Sequence, residues 1–244
     1  MRNLFNMDNP LFQTLGKLAD LMILNIVFII CCIPVVTIGA SLTALNYVTL
    51  KLAEKEEGYI VKGFFKSFKE NFKQSTIIWL IMLVLGIVLG LDVYIMSESK
   101  GTFFTVIRIL LFILLFLYYM IYTYVFPVLA RFYNTTKATF KNAFIMAIVD
   151  FPRTLLMMII PVLAVVATFL HTYTIVYGSL IWIMVGFSGV AYINCIFMKK
   201  VLAKYMPQEE EKDPDAWYVE ETAQEENQEE DAAAELADTA SEEE

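Results

Sequence analysis

The chain has 244 residues, 58% of them hydrophobic and 18% charged, with a mean hydropathy of +0.61. A water-soluble domain of this size rarely carries so much apolar surface, so the composition points to a polytopic membrane protein and excludes a secreted disulfide scaffold, a collagen or a fully disordered chain. The net charge of -8 is the sum of two unlike parts: residues 1–207 carry a net +8 and residues 208–244 a net −16. A helical membrane domain over 1–207 joined to a disordered acidic tail over 208–244 follows, because the tail has too little apolar surface and too much like charge to fold alone.

In chain order, the first apolar run is Leu18–Leu50. As one helix it would be about 50 Å long, well beyond the ~30 Å of hydrocarbon. Pro34 divides it, and Thr37, Gly39 and Ser41 suit a turn and a helix start. The reading is a hairpin: one helix to about Ile33, a turn over Pro34–Ile38, and a second helix to about Leu52. The first helix can begin at Pro10 with Asn9 as its cap. Each arm is short for a bilayer, so Lys17 and Lys51 must snorkel or the arms must be re-entrant. A single kinked helix here is the alternative, giving five spans rather than the preferred six.

Next comes a basic amphipathic stretch. Phe64, Phe68 and Phe72 recur at spacing four, with Lys62, Lys66, Lys69 and Lys73 interleaved. Spans follow at roughly Ser75–Met96 and Phe103–Leu129. A second basic stretch carries Phe140, Phe144 and Ile148 at the same spacing, with Lys137 and Lys141. Asp150-Phe151-Pro152 reads as a helix entry with Asp150 as cap. Spans at Thr154–Leu170 and Ile175–Met198 complete the count, with a kink expected at Pro161. Both basic stretches suit helices lying in the headgroup plane or docking onto a partner subunit. With six spans, 16 of the 18 basic residues fall on one side, which the positive-inside rule makes cytoplasmic together with both termini.

Charged groups inside spans are costly and need partners. Asp92 and Arg108 fall at similar depth in an antiparallel hairpin, so an intramembrane Asp92–Arg108 ion pair is expected. Asn25, Asn46 and Asn194 read as hydrogen-bonding glue between helices, and Gly86 with Gly90 as a close-packing motif. Tyr118 and Tyr122, in an aromatic group with Tyr119, Tyr124 and Phe126, are candidates to face a ligand. Cys31, Cys32 and Cys195 lie in apolar runs without the spaced partners of a metal site. Phosphate-loop, metalloprotease and serine-hydrolase motifs are absent from the sequence, so no catalytic, cofactor or metal residues are assigned. In the tail, Trp217-Tyr218-Val219 is an apolar island that could dock on the basic face.

Leu4-Phe5-Asn6-Met7-Asp8-Asn9-Pro10, Cys32-Ile33-Pro34-Val35-Val36-Thr37-Ile38-Gly39-Ala40, Gly58-Tyr59-Ile60 with Phe64 through Gln74, and Asp150-Phe151-Pro152-Arg153-Thr154-Leu155 resemble the YesL-like family of bacterial integral membrane proteins. That family is largely of unknown function, and its members are often encoded beside carbohydrate ABC-transporter components. The resemblance implies a link to sugar uptake and carries over no catalytic residue. The expected function is a non-enzymatic accessory or interaction protein in the cell membrane, with lipid and ABC-transporter membrane subunits as partners and no nucleic acid. A transporter forming its own pathway, as a homo-oligomer, is the alternative.

Overall fold

The computed structural model describes residues 10–55, 58–97 and 101–205. The chain divides into two units, Met1–Lys204 and Tyr205–Glu244, and all helices below belong to the first. The acidic tail with its Trp217–Val219 island, and Asn9 as a cap, lie outside the described residues. All regular structure among the described residues is helical: α1 Pro10–Cys32, α2 Ile38–Glu54, α3 Ile60–Ser97, α4 Thr102–Arg131, α5 Thr136–Val149, α6 Phe151–Phe169, α7 Thr172–Ile181 and α8 Phe187–Leu202. A π-helical turn, Trp182–Gly186, joins α7 to α8.

Six stretches are long and apolar enough to cross a membrane: Thr14–Cys32, Val35–Glu54, Ile60–Met96, Thr102–Arg131, Phe151–Phe169 and Tyr173–Leu202. Over the described residues the chain is an all-α polytopic bundle with six such helices. Pro34 does separate α1 from α2, so the single kinked helix does not form. A short 3-10 turn, Val35–Thr37, fills the gap. The Thr37 hydroxyl lies 2.6 Å from the Cys31 carbonyl and 2.7 Å from that of Pro34, so it satisfies acceptors that the ending helix leaves open.

α2 is the central post. Ten of its 17 residues are buried, and it packs on α1, α3, α4 and α8. Its small residues make this possible. At Gly39 an added Cβ would stand 2.5 Å from the Trp79 Cβ and nearer still to the Ser75 carbonyl oxygen. Leu21, Leu24 and Phe28 of α1 gather with Ala44, Leu45 and Val48 of α2 and with Phe64 in one core. A larger core joins Leu50 and Ala53 to the inner parts of α3 and α4, to α5 and α6, and to the end of α8.

α3 departs from expectation. The first basic stretch and the span after it form one unbroken helix of 38 residues, about 57 Å at ~1.5 Å per residue. No glycine or proline lies between Phe64 and Leu85, so nothing stops the helix at the membrane boundary. The tip of the α1–α2 hairpin meets α3 partway along, where the Trp79 indole N–H donates to the Val35 carbonyl at 2.9 Å. Leu80–Ser97 of α3, about 27 Å of helix, runs on past that tip beside α4. The arms are not as short as their apolar runs implied, since α1 has 23 residues and both arms are long enough to cross a membrane.

Gly39→Ala is expected to push α2 off α3 and to cost about 1–3 kcal/mol. Thermal exposure of the buried Cys195 thiol to maleimide in detergent measures this. An unchanged midpoint would show that the helices separate without penalty.

Candidate functional site

Asn25 sits fully buried on α1 and divides its amide between the π-helical turn and the start of α8. Its Nδ2 donates to the carbonyls of Trp182 at 2.9 Å and Ile183 at 2.7 Å, and its Oδ1 accepts from the Ser188 N–H at 3.0 Å. The Ser188 hydroxyl returns a bond to the Leu21 carbonyl at 2.7 Å. A π turn widens the helix and disturbs its regular ladder, and here a neighbouring helix completes it. Asn25 is helix glue, as its residue type suggested, but its partner is backbone that no sequence pattern marks. Asn46 donates to Leu42 one turn back on its own helix at 2.8 Å. Thr49 and Cys195 meet across α2 and α8 at 3.2 Å.

Between α2, α4, α6 and α8 these contacts leave a cavity of about 270 Å³. Tyr119, Tyr122, Phe126 and Trp182 supply aromatic wall, and Asn46 and Asn194 supply polar points. Tyr122 lines this cavity as a ligand-facing aromatic would. Tyr118 does not: its hydroxyl donates to the Met82 carbonyl at 3.0 Å and its ring lies against Gly86. Gly90, by contrast, has open space where a side chain would be. Tyr119 reaches the Met158 carbonyl at 3.1 Å, and Tyr124 meets Thr154 at 2.8 Å, so two more of the aromatic group bind α4 to α6. Pro127 and Pro161, inside α4 and α6, also line the cavity.

The expected Asp92–Arg108 pair is not among the ion pairs of the described residues. Arg108 instead donates from Nη2 to the Met96 carbonyl at 2.8 Å, which ties the start of α4 to the last turn of α3. A guanidinium near a helix C-terminus finds carbonyls that have no intrahelical donor, so it does not require Asp92. Three ion pairs between described residues lie at the opposite end. Glu54 pairs with Arg131 at 3.2 Å, and Asp150 pairs with Lys204 at 2.6 Å and Arg153 at 3.0 Å. Lys199 donates to the Ala53 carbonyl at 2.9 Å. The ends of α2, α4 and α8 and the α5–α6 junction are thereby tied together. Asp150 stands at the α6 N-cap position as expected, yet its side chain makes no cap bond and serves as this ionic hub instead.

The basic stretches are only partly outward contacts. Phe64 is fully buried in the α1–α2 core, so it is not an exposed anchor. Phe68 is half-buried, its ring 6.1 Å from that of Phe64 and 5.5 Å from that of Phe72. Phe72, Lys66 and Lys69 are exposed. On α5, Phe140 packs against the larger core, whereas Phe144, Ile148 and Lys141 face outward. The buried stripe of α5 is Thr139, Ala143, Met146 and Ala147, a set of small residues and one methionine that the spacing of the phenylalanines conceals. Its outward face is therefore apolar as well as basic, which suits a helix half-sunk in the interface.

Asn25→Leu is expected to orphan the π-turn groups and cost about 2 kcal/mol, read as a lowered unfolding midpoint. Asp92→Asn should shift that midpoint by less than about 0.5 kcal/mol. Arg108→Asp with Asp92→Arg should not restore what Arg108→Asp loses, and recovery in that double variant would reinstate the pair. Asp150→Asn should destabilise by about 2 kcal/mol. Lys204→Met should cost less, since water reaches the Lys204 side chain.

Residues 21–93 match the family model described as "Protein of unknown function, DUF624". The match runs from Leu21 through α2 and most of α3, and so contains Asn25, Gly39 and Trp79. A search of curated proteins and a search of solved structures each found no match.

Proposed function

We propose that this chain is a non-enzymatic accessory protein of a carbohydrate uptake system in the bacterial cell membrane. The observation that carries this reading is where the polar groups of the spans go. Asn25, Ser188, Tyr118, Tyr119, Tyr124 and Thr154 all bond to neighbouring helices. A transporter needs a polar, water-lined route between the two faces, and groups spent on helix–helix bonds do not line one. The bundle is built to be held together. Partner contacts would come from the basic end, where Phe72, Phe144, Lys66, Lys69 and Lys141 stand exposed. The resemblance of Cys32–Ala40 and Gly58–Gln74 to the YesL-like family falls within the matched residues 21–93 and supports the sugar-uptake link.

The basic end is cytoplasmic in this reading, by the positive-inside rule. Tyr133 lies at that end and Tyr173 at the other, and both are exposed. In a cysteine-free background, an impermeant thiol reagent on intact cells is expected to label Tyr173→Cys and spare Tyr133→Cys. The reverse pattern inverts the topology.

Cross-linking in a bacterial host grown on different sugars, followed by affinity purification, tests the partner. Sugar-dependent recovery of permease or binding-protein subunits is expected, weakened by Lys66→Glu with Lys69→Glu. Recovery of the chain with itself alone, together with sugar uptake by liposomes holding only this protein, would favour a self-sufficient transporter.

A further inference from the structure

The cavity between α2, α4, α6 and α8 has a definite chemical preference. Asn194 Oδ1 is buried there and has no hydrogen-bond partner among the described residues. Proline supplies no N–H to the carbonyl one turn earlier, and that carbonyl lies against the proline ring. Pro127 so frees the carbonyl of Thr123, and Pro161 that of Met157, and all four residues line the cavity. The Asn46 amide and the Thr123 and Tyr119 hydroxyls on the wall already donate to the Leu42, Tyr119 and Met158 carbonyls, which leaves Asn194 Oδ1 as an open acceptor. Unpaired buried acceptors are costly, so a hydrogen-bond donor is favoured there.

Charge narrows the class. The lining holds no carboxylate to balance an ammonium group, and acceptors repel an anion. A neutral hydroxyl remains. Size narrows it further: at ~30 Å³ per water-sized group, the space takes on the order of nine non-hydrogen atoms. The remaining wall is aromatic and aliphatic, which suits an apolar body and not a bare sugar, whose many hydroxyls would go unmet. The cavity adjoins the outward surface at Trp182 and Phe187, whose rings lie 4.9 Å apart. An apolar groove of about 450 Å³ between α6 and α7 shares Trp182 and Phe187 with the cavity, and its Val165, Phe169 and Ile183 are exposed.

We propose that this cavity binds an amphipathic alcohol drawn from the lipid phase, its apolar body against Tyr122, Phe126 and Trp182 and its hydroxyl donating to Asn194 Oδ1. Nothing in this depends on the accessory role.

The test uses the purified full chain in lipid nanodiscs with two photoreactive probes of about ten carbons, an alcohol and its methyl ether, which differ only in the donor. Mass spectrometry maps the labelled residues. The alcohol is expected to label cavity residues of α4 and α8 roughly fivefold more than the ether does. Asn194→Leu should abolish that preference while leaving labelling by the ether in place. Tyr122→Phe keeps the wall intact and, as a variant that folds readily, should retain the alcohol preference. Ala191→Phe, which fills the space, should remove cavity labelling by both probes. Equal labelling by the two probes, labelling confined to outward-facing residues, or an alcohol preference that survives Asn194→Leu would overturn the proposal.

Discussion

A polar group placed among hydrocarbon must find its partner inside the protein, and Asn25 shows how far this constraint shapes the chain. One amide completes a disturbed helical turn on a segment more than 150 residues away in sequence. It thereby fixes the depth and rotation of α1 against the π turn, and Ser188 answers with bonds to Asn25 and Leu21. With α1 held on one side and α3 on the other, the faces of α2 that meet its neighbours are rich in small residues, Gly39, Ala40, Ser41 and Ala44 among them, and its partly exposed positions are large ones such as Leu42, Tyr47 and Lys51.

The two ends of the bundle are held by different physics. At the basic end, ionic contacts join elements far apart in sequence: Glu54 to Arg131, and Lys204 to Asp150. Water and headgroups can share the cost of desolvating these charges, so such pairs are tolerable there. At the other end, two helical hairpins run on past the α1–α2 tip with apolar side chains facing outward. Backbone satisfaction within each helix is enough to sustain them in lipid. Arg108 bonds the Met96 carbonyl at the end of α3, where an Asp92–Arg108 pair was expected.

The central cavity follows from the same features. Two prolines interrupt α4 and α6 where those helices pass α2 and α8, and the π turn begins at Trp182 on its wall. Each irregularity prevents close packing at that level. The space left is lined by aromatic side chains, by polar groups already bonded within or between helices, and by the open acceptor Asn194 Oδ1.

Much of this was legible from the residues alone. Apolar run length left five or six spans, with six preferred, and Pro34 marked the break between the first two. Those features are local, because helix formation and insertion depend on hydropathy and on backbone chemistry within one segment. Residue type also marked Asn25 as a polar group that a neighbouring helix must answer, and Tyr122 as a candidate to face a ligand. What only the tertiary structure decided was the partner in each case. Spacing made Phe64, Phe68 and Phe72 look like one exposed stripe, yet α1 and α2 cover the first of them. Equal depth made Asp92 the natural partner of Arg108, yet a nearer carbonyl serves. The π turn, the acceptor at Asn194 and the hub at Asp150 have no sequence signature, since each exists only where separate helices cross.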